Sequence, residues 1–173
     1  MGKSMWYILP GDDYRFANEF QNNSIVAIGF NKITPAMVEA LGTPSQEKLK
    51  ALLLKTYSEK DSPDDYYDEE TGSARSGKDA GNFLNFVNIS MGDYVLVNNI
   101  SSHCLLLGRV CGEWKHDETI CSNETGCYAN YRKVDWISRS LTITVKRPPY
   151  QYVNKMKEDE AIEILDEFKV RHH

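Results

Sequence analysis

The sequence lacks the marks of a membrane, secreted or disulfide-stabilised protein. Its apolar runs all fall short of the roughly 20 residues that a transmembrane helix needs. The N-terminal residues show neither the apolar stretch nor the small-residue cleavage site of a signal peptide, so we expect a cytoplasmic location. The length of 173 residues suits one domain that can bury a core without disulfides or metals. We therefore predict a single domain spanning residues 1–173.

Sequence motifs of known catalytic centres are missing as well. The chain contains no G-x-S-x-G, no H-E-x-x-H and no glycine-rich phosphate loop. Its predicted loops carry two histidines, His103 and His116, and an isolated loop histidine is more often solvated than catalytic. We therefore predict a protein that is not an enzyme and that needs no cofactor.

The chain has four cysteines, but no two of them have the C-x-x-C spacing of a zinc site. Cys104 and Cys111 lie seven residues apart on a predicted strand, so their side chains point to opposite faces. Cys121, Cys127 and His116 fall in one predicted loop and can reach a common point, although a fourth ligand is not evident. We predict reduced thiols and no metal, with a zinc site at these three residues as the alternative.

The net charge of −5 is unfavourable for a nucleic-acid ligand, but the charge is distributed unevenly. Residues 61–79 contain seven acidic and two basic residues, which accounts for the whole imbalance. Residues 130–157 contain seven Lys or Arg residues and one Asp. Such a local basic region is what phosphate contact requires. A solvated strand face followed by a basic tail is the alternative.

Hydrophobic periodicity predicts an α+β protein. The predicted order is strand, helix, strand, two helices, and then mostly antiparallel strands, including a hairpin over residues 93–114. The acidic segment has few apolar residues, so we predict a long mobile loop over residues 58–79. Two further strands are predicted at 128–137 and 141–145, and a C-terminal helix at 157–168. The pattern indicates a strongly bent sheet or small β-barrel flanked by helices.

Aromatic residues are abundant, with 3 Trp, 10 Tyr and 6 Phe, and several lie at predicted strand ends or in polar loops. Phe30 ends the run SIVAIGF, at a position where a side chain can close the mouth of a barrel. Trp114, Tyr128 and Tyr131 flank the later polar loop. Flat aromatic side chains at such a mouth can stack on a base that has left the helix. Core packing is the alternative for each of them.

Five short motifs occur in an order that resembles one known superfamily. The motifs are MWYILPGDDYRFANEF, NNSIVAIGF, GNFLNFVNISMGDYVLVN, CLLLGRVCGEW and YRKVDWIS, and they cover about residues 5–140. Together they resemble the PUA-like superfamily and, within it, the EVE and YTH branch. They are similar to the base-reading domains at the N-terminus of modification-dependent restriction enzymes of the McrB and Mrr-associated kinds. The resemblance implies a PUA-like fold.

The resemblance also implies an aromatic cage that holds one modified base. Phe30 stands where the family has a cage Trp, and a second wall is expected from Tyr128 or Tyr131, with Trp114 as a further candidate. Contacts to the edge of the base are expected from Gly11, Asp12, Asn82 and Asn98. Contacts to phosphates are expected from Arg132, Lys133, Arg139, Lys146 and Arg147.

The function that this resemblance implies is recognition without catalysis. We expect a module that flips a modified, in particular methylated, base of DNA into the cage, with a fused or separate nuclease or motor subunit as its partner. Flipping costs a few kcal/mol of stacking and pairing, and stacking on one aromatic side chain returns roughly 1–3 kcal/mol. An RNA reader of the same fold and a protein-interaction domain without a base pocket are the alternatives.

Overall fold

The computed structural model describes residues 2–57, 72–143, 145 and 152–170 of the chain. These residues form an α+β fold in which helices pack against a strongly curled, mixed sheet. The helices are α1 (Ala17–Asn23), α2 (Pro35–Glu39), α3 (Gln46–Tyr57), α4 (Gly72–Asn88) and α5 (Glu158–Val170), and a 3-10 turn occupies Asp12–Tyr14. The strands are β1 (Met5–Ile8), β2 (Ile25–Ile28), β3 (Tyr94–Asn99), β4 (Cys104–Val110), β5 (Lys115–His116), β6 (Ser122–Asn123), β7 (Gly126–Cys127), β8 (Asn130–Ser140) and β9 (Val153–Lys155).

Seven strands form one sheet in the order β2-β8-β4-β3-β1-β9, with β5 paired to β8 beside this path. β1 and β3 run parallel, with Met5 opposite Tyr94, and the other strand pairs in the described residues are antiparallel. β6 and β7 form a separate two-stranded ribbon. The long strand β8 pairs with β2 near its start and with β4 toward its end, so it joins the two halves of the curled sheet.

The seam between β4 and β8 is irregular at Gly108. The register of the two strands shifts between Leu107 and Gly108, and such a bulge bends a strand and increases its twist. A Cβ atom on Gly108 would collide with Val134 Cγ1 and would lie 2.7 Å from Trp136 Cε3. Glycine is therefore the residue that lets β4 approach these side chains where the sheet bends.

Strand alternation divides the buried apolar side chains into two clusters. In β1, Trp6 and Ile8 belong to the inner cluster, whereas Met5 and Tyr7 belong to the outer cluster. The helices, with Phe16 just before α1, contribute to the inner cluster Phe16, Phe20, Leu49, Leu53, Tyr57, Phe83 and Phe86. The outer cluster consists of Met5, Tyr7, Leu96, Leu105, Leu107, Ile143, Ala161, Ile164 and Phe168, so α5 packs against the opposite face of the sheet.

The α+β class, the curled sheet and its flanking helices are confirmed, and the predicted C-terminal helix is present as α5. The predicted acidic loop is wrong in its second part, because residues 72–79 form the first turns of α4, while residues 58–71 lie outside the described residues. Each residue added to a helix gains a hydrogen bond, so the helix anchored by buried Phe83 extends back through this polar segment. None of the described helices is long and apolar enough to cross a membrane.

The strand predicted at 141–145 is also wrong where the structure describes it. β8 runs on to Ser140, and residues 141–143 leave the sheet. The Ser140 Oγ accepts hydrogen bonds from the N–H groups of Thr142 (3.3 Å) and Ile143 (3.1 Å). A side chain that takes the next backbone donors in this way competes with pairing to a neighbouring strand.

Candidate functional site

A cavity of about 210 Å³ lies where β2 ends, beside α4 and the segment that enters β9. Pockets for drug-sized ligands hold about 300–1,000 Å³, so this cavity suits one small group rather than a long ligand. Among the residues that the structure describes, four aromatic ones line it, namely Phe30, Tyr57, Tyr128 and Tyr152. The polar residues of its lining are Asp12, Arg15, Asn31, Asp79 and Asn82.

Phe30 forms its wall of the cavity from an unusual backbone conformation. Its φ of 58° lies in the left-handed region, which bulky residues rarely adopt. Asn130 holds this turn, because its Nδ2 donates to Gly29 O (2.9 Å) and to Phe30 O (3.0 Å). The Asn130 side chain is fully buried, and its Oδ1 accepts from Trp114 Nε1 (2.9 Å). A strained residue fixed by buried hydrogen bonds is a frequent feature of binding sites.

The Phe30 ring is supported from behind by other aromatic rings. Its centroid lies 5.2 Å from that of Phe83, with an angle of 35° between the planes. Phe83 in turn meets Trp114 edge-on at 5.4 Å and 81°. Edge-to-face and tilted pairs at these distances are the favoured aromatic geometries. Phe30 is partly buried: its ring packs against the core and also borders the cavity.

Asn31 connects the end of β2 to the loop that carries Tyr128. Its Nδ2 donates to Cys127 O (3.0 Å), and its Oδ1 accepts from the N–H of Ala129 (2.9 Å). Its own carbonyl oxygen lies 2.7 Å from His116 Nε2. The residues on either side of Tyr128 are therefore bonded to one asparagine, which sets the distance between the Phe30 and Tyr128 walls.

Tyr128 forms a second aromatic wall. Its ring packs against Phe16 with centroids 4.6 Å apart, and the Arg15 guanidinium lies 5.7 Å from its centroid. A Cβ atom on Gly29 would lie 3.3 Å from Tyr128 Cε1, so the ring sits directly over the glycine. Burial raises the pKa of Tyr128 to about 12, and the phenol is neutral at physiological pH.

Asp12 and Tyr152 meet at the rim of the cavity. Gly11, at φ 81°, turns the chain after β1, and Asp12 follows in the 3-10 turn. The Tyr152 hydroxyl donates to Asp12 Oδ1 at 2.6 Å. Burial and then this bond to a carboxylate raise the pKa of Tyr152 above its usual range. The two side chains form a fixed acidic edge beside the aromatic walls.

Asn82 has a positioning role on the α4 side. It is almost fully buried, and its Oδ1 accepts from the N–H groups of Tyr152 (2.8 Å) and Val153 (3.1 Å). Its Nδ2 donates to Lys78 O (3.1 Å) within the helix. Asn82 therefore fixes the chain that presents Tyr152.

Tyr57, the last residue of α3, completes the aromatic lining. Its ring is buried, and its hydroxyl oxygen accepts from the N–H of Lys32 at 3.2 Å. The Lys32 ammonium lies 5.4 Å from the centroid of the same ring, which is a cation–π distance. This contact holds an exposed cation close to the mouth of the cavity.

The structure brings together some of the predicted base-binding residues and separates others. Phe30, Tyr128, Asp12 and Asn82 all line the cavity, and Gly11 makes the turn beside it. Trp114 lies behind Phe83 and holds Asn130, so it supports the wall without lining the cavity. Tyr131 is a buried member of the inner cluster, because alternation along β8 turns it inward. Asn98 lies on β3 opposite Leu105 and does not line the cavity.

The three predicted phosphate-binding residues that the structure describes do not share a surface around the cavity. Arg132 is 7% exposed, donates to Val87 O (3.1 Å) and stacks on Phe86, so its position corresponds to a buried support rather than a phosphate contact. Desolvation lowers its pKa to about 10. Lys133 donates to Asn23 O. Arg139 is exposed but lies nine residues after Asn130 along β8, roughly 30 Å at about 3.3 Å per residue. Lys146 and Arg147 lie outside the described residues.

Among the described lining residues, sequence reasoning missed five charged, amide or aromatic side chains. Asn31 follows Phe30 directly, and its place after a strand end was the available signal. Arg15 lies within the first motif, but nothing in its spacing indicated a stacked guanidinium. The other missed residues come from distant parts of the chain and carry no local signal: Tyr57, Asp79 and Tyr152.

A metal centre finds no support in the described residues, where no group of three His, Cys, Asp or Glu side chains is arranged to hold an ion. The nitrogen His116 Nε2 is engaged with Asn31 O. Cys127 Sγ lies 3.3 Å from Asn31 Nδ2, and Cys121 is buried, which raises the pKa of its thiol to about 12. These side chains help to shape the loop before β8.

The chain belongs to the family described as Domain of unknown function (DUF8426), whose family model matches residues 6–159. The match begins in β1, reaches α5 and includes every residue that lines the cavity. None of the curated proteins matches the chain.

Proposed function

We propose that this member of the DUF8426 family is a non-catalytic nucleic-acid-binding module that captures one modified, in particular methylated, base in the cavity beside Phe30. The observation that carries the proposal is a cavity of about 210 Å³ that is bordered by the aromatic side chains of Phe30 and Tyr128 and by polar side chains. The proposal includes a PUA-like fold of the EVE and YTH type, which the curled mixed sheet with flanking helices suits. The base would come from DNA.

The rigidity of the walls favours a ligand that binds by stacking. Phe30 is held by Asn130 and backed by Phe83, and Tyr128 is held between Phe16 and Gly29. Ordering these side chains during folding removes a cost that a flexible site would meet on binding. Stacking on one aromatic side chain contributes roughly 1–3 kcal/mol. Two walls can therefore offset the few kcal/mol that flipping a base requires.

Two cations near the cavity are suited to the flanking phosphates. Arg15 is exposed and lines the cavity, and its guanidinium is spread over Phe16 (4.9 Å). Lys32 is exposed and stacks on Tyr57. They replace Arg132 and Lys133 as our candidates because Arg15 lines the cavity and Lys32 stacks on Tyr57, which lines it. Replacing Lys32 by Gln should lower the magnitude of the salt slope of duplex binding by about 0.9.

The proposal is tested by binding to labelled duplexes that carry one 5-methylcytosine, 5-hydroxymethylcytosine or N6-methyladenine, beside unmodified duplexes and single strands of DNA and RNA. We expect one modified DNA to bind more tightly than its unmodified form. Phe30→Leu keeps the apolar contact with Phe83 but removes the planar ring. It should weaken binding about 5- to 150-fold, the equivalent of 1–3 kcal/mol.

Tyr94→Ala is the matched control, because Tyr94 is also a half-buried aromatic residue but packs against the outer cluster. Binding by this variant should equal that of the parent. Tight binding to modified RNA alone would replace DNA by RNA as the ligand. Equal affinity for modified and unmodified nucleic acids of every kind, or no binding by a folded protein, would refute the proposal and favour a protein-interaction domain.

A further inference from the structure

We propose that a second site, a groove beside the N-terminal segment, binds the phosphate backbone of the DNA strand that flanks the captured base. This inference rests on the proposed function and adds a surface that is separate from the cavity. The groove has a volume of about 580 Å³ and lies between the N-terminal segment, the end of α4, the turn before β3, and β9. The described residues that line it include Lys3, Ser4, Trp6, Asn85, Asn88 and Lys155.

The groove and the cavity lie along the same seam between α4 and β9. On the helix, Asn82 lines the cavity, and Asn85, about one turn later, lines the groove. Both are bonded to Val153, because Asn82 Oδ1 accepts from its N–H (3.1 Å) and Asn85 Nδ2 donates to its carbonyl oxygen (2.9 Å). On the other side of the seam, Tyr152 lines the cavity and Lys155 lines the groove. A ligand that extends from the cavity along this seam therefore meets the groove.

The spacing of the two sites matches a short stretch of a DNA strand. Residues 152 and 155 are three positions apart at β9, which corresponds to roughly 10 Å at about 3.3 Å per residue. Residues 82 and 88 of α4 give a similar length, roughly 9 Å at about 1.5 Å per residue. Successive nucleotides of one strand rise about 3.4 Å along a duplex. A phosphate about three nucleotides from the captured base therefore falls at the level of the groove.

Lys3 is held in place by the turn that precedes β3. Its Nζ donates to Met91 O (3.0 Å), and its side chain crosses Gly92, where a Cβ atom would lie 3.0 Å from Lys3 Cε. The φ of Gly92 is 85°, so glycine suits both the backbone and the lysine at this position. Lys3 is exposed, and an ammonium group carries three hydrogens. Beyond the bond to Met91, it therefore has two donors for a ligand.

Lys155 is positioned by an aromatic ring. It lies opposite Trp6 in the pairing of β9 with β1, and its ammonium is 5.7 Å from the centroid of the Trp6 ring. Trp6 is buried and Lys155 is exposed, so the charge is held at the surface over a fixed ring. This cation–π contact leaves the hydrogens of the ammonium available for hydrogen bonds. Because the protein already orders both lysines, they lose less freedom on binding an anion than unrestrained side chains would.

Asp93 also lines the groove, but its carboxylate is directed into the protein. The residue is 5% exposed, and its Oδ1 accepts from the N–H of Ser4 (3.1 Å). Its Oδ2 accepts from Trp6 Nε1 (2.9 Å) and from the N–H of Ser90 (3.0 Å). An anion that enters the groove therefore meets the two lysines at the surface, while the carboxylate stays behind them. Lysine contacts of this kind are the main source of salt-dependent binding to DNA.

The test measures the affinities of Lys3→Gln and Lys155→Gln for the modified duplex and for its unmodified form over a range of salt concentrations. Each variant should lower the magnitude of the salt slope by about 0.9, the value for one lost phosphate contact. This change corresponds to about eightfold in affinity for each tenfold change in salt. The loss should be equal for both duplexes, because phosphate contacts carry no information about the base. The preference for the modified base should therefore be retained.

Lys169→Gln is the matched control, since it removes an equal charge from an exposed lysine on another surface. The Lys169 side chain is 72% exposed and lies 3.8 Å from Asp166. It stands eleven residues after Glu158 along α5, roughly 17 Å at about 1.5 Å per residue, and so at the end of the helix away from β9. Its salt slope should equal that of the parent protein.

The position of the contact is tested with duplexes in which one arm beside the modified base is cut to a single base pair. We expect the effect of Lys155→Gln to disappear when one of the two arms is cut and to persist when the other is cut. This result is expected because the groove lies to one side of the cavity, about three nucleotides away.

Parent-like salt slopes in both folded lysine variants would overturn the inference and leave the proposed base reader standing. An effect of Lys155→Gln that persists whichever arm is cut would overturn it too, since the lysine would then act beside the base or through the fold. If the folded parent protein shows no preference for any modified nucleic acid, the proposed function fails. The behaviour of the parent protein thus distinguishes the two failures.

Discussion

The region under α5 and the region around Phe30 are both built on the same sheet, but they use polar groups differently. Under α5, the sheet meets the helix through apolar side chains such as Leu96, Ile164 and Phe168. Around Phe30, aromatic rings are interleaved with the amides of Asn130 and Asn31, which bond to the backbone. The region under α5 stabilises the fold by burying apolar side chains. The region around Phe30 also buries apolar surface, but its hydrogen bonds in addition fix the positions of individual rings.

The two regions also differ in backbone strain, which is found around Phe30. Gly11, Asp13, Tyr14 and Phe30 have positive φ, and they lie in the cavity wall or in the turn that adjoins it. None of the described residues with positive φ belongs to β1, β4 or α5. Strained conformations persist where surrounding contacts hold them, and they concentrate at functional sites. The comparison predicts that substitutions near Phe30 change both stability and binding, and that substitutions under α5 change stability alone.

The largest effect is expected from Asn130→Ala. The change removes the partner of Gly29 O and of Trp114 Nε1 in a partly buried place, whereas Phe30 O keeps the N–H of Ile33 (2.8 Å). A polar group left unpaired in the interior costs about 1–3 kcal/mol, so we expect a loss of about 2 kcal/mol or more in the free energy of unfolding, measured in urea. Binding of the modified base should fall at least tenfold at a temperature where the variant is folded.

Asn99→Ala is the control for that variant. Asn99 is equally buried and also makes three side-chain hydrogen bonds, with Asn18, Gln21 and Ser102, none of which lines the cavity. It should lower stability to a similar extent and leave binding unchanged. Equal losses of binding in the two variants would show that Asn130 acts through general stability.

The next effect is expected from Ile164→Ala, under α5. Ile164 is 8% exposed, and removing a buried aliphatic side chain of this size costs at least about 2 kcal/mol. Ile162→Ala, on the same helix at 53% exposure, should change stability by less than about 0.5 kcal/mol. Thermal unfolding gives the stabilities, and titration with the modified duplex should give parent-like affinities for both. A weakened affinity in Ile164→Ala would contradict the comparison.

Tyr128→Phe should make the protein less sensitive to alkaline pH. Burial holds the pKa of Tyr128 at about 12 in the folded protein against an ordinary value of 10.0, so the folded state favours the neutral phenol. The resulting stability is complete below pH 10 and is lost as the pH rises toward 12. Between pH 8 and pH 11 the parent should lose about 1 kcal/mol more than the variant, by urea unfolding at each pH. Parallel losses would show that Tyr128 ionises as freely as in the unfolded chain.

The smallest effect is expected from Gly29→Ala. The added Cβ would lie 3.3 Å from Tyr128 Cε1, so the ring must move by a few tenths of an ångström. We expect stability to change by less than about 1 kcal/mol and base binding to weaken severalfold, since stacking depends on the spacing of the walls. Gly81→Ala is the control, because its Cβ would meet only the end of the Gln46 side chain, at 3.6 Å. Unchanged binding in Gly29→Ala would mean that the walls are less rigid than inferred.

Elements with a strong local pattern were predictable from the sequence. The hairpin of β3 and β4, the helix α3 and the helix α5 follow their hydrophobic periods closely. The start of α4 was not predictable, because the composition of residues 72–79 favours a loop. The helix forms there as an extension of the later turns of α4, which pack against the core. The end of β8 was not predictable either, since it depends on the hydrogen bond that the Ser140 hydroxyl accepts from the N–H of Ile143.

The candidate site was predictable only in part, for a related reason. A strand end and its following loop gave Phe30 and Tyr128, both of which line the cavity. Trp114 and Tyr131 could not be distinguished from these two residues in the sequence. In the structure, the pairing of β8 with β2 turns Tyr131 into the inner cluster, and Trp114 packs behind Phe83. Tyr57 and Tyr152 reach the cavity through contacts between distant parts of the chain, which a local pattern does not encode.

Gly108 has a consequence for how such a protein can diversify. The bend of the sheet is concentrated at one crossing, where no side chain beyond hydrogen fits against Val134 and Trp136. Phe30 and Tyr128 lie on a strand end and a loop away from that crossing, so a change at either residue leaves the bend itself in place. Selection, or a designer, can thus alter the shape of the cavity through these two residues while the curvature of the sheet is retained, provided that residue 108 stays glycine.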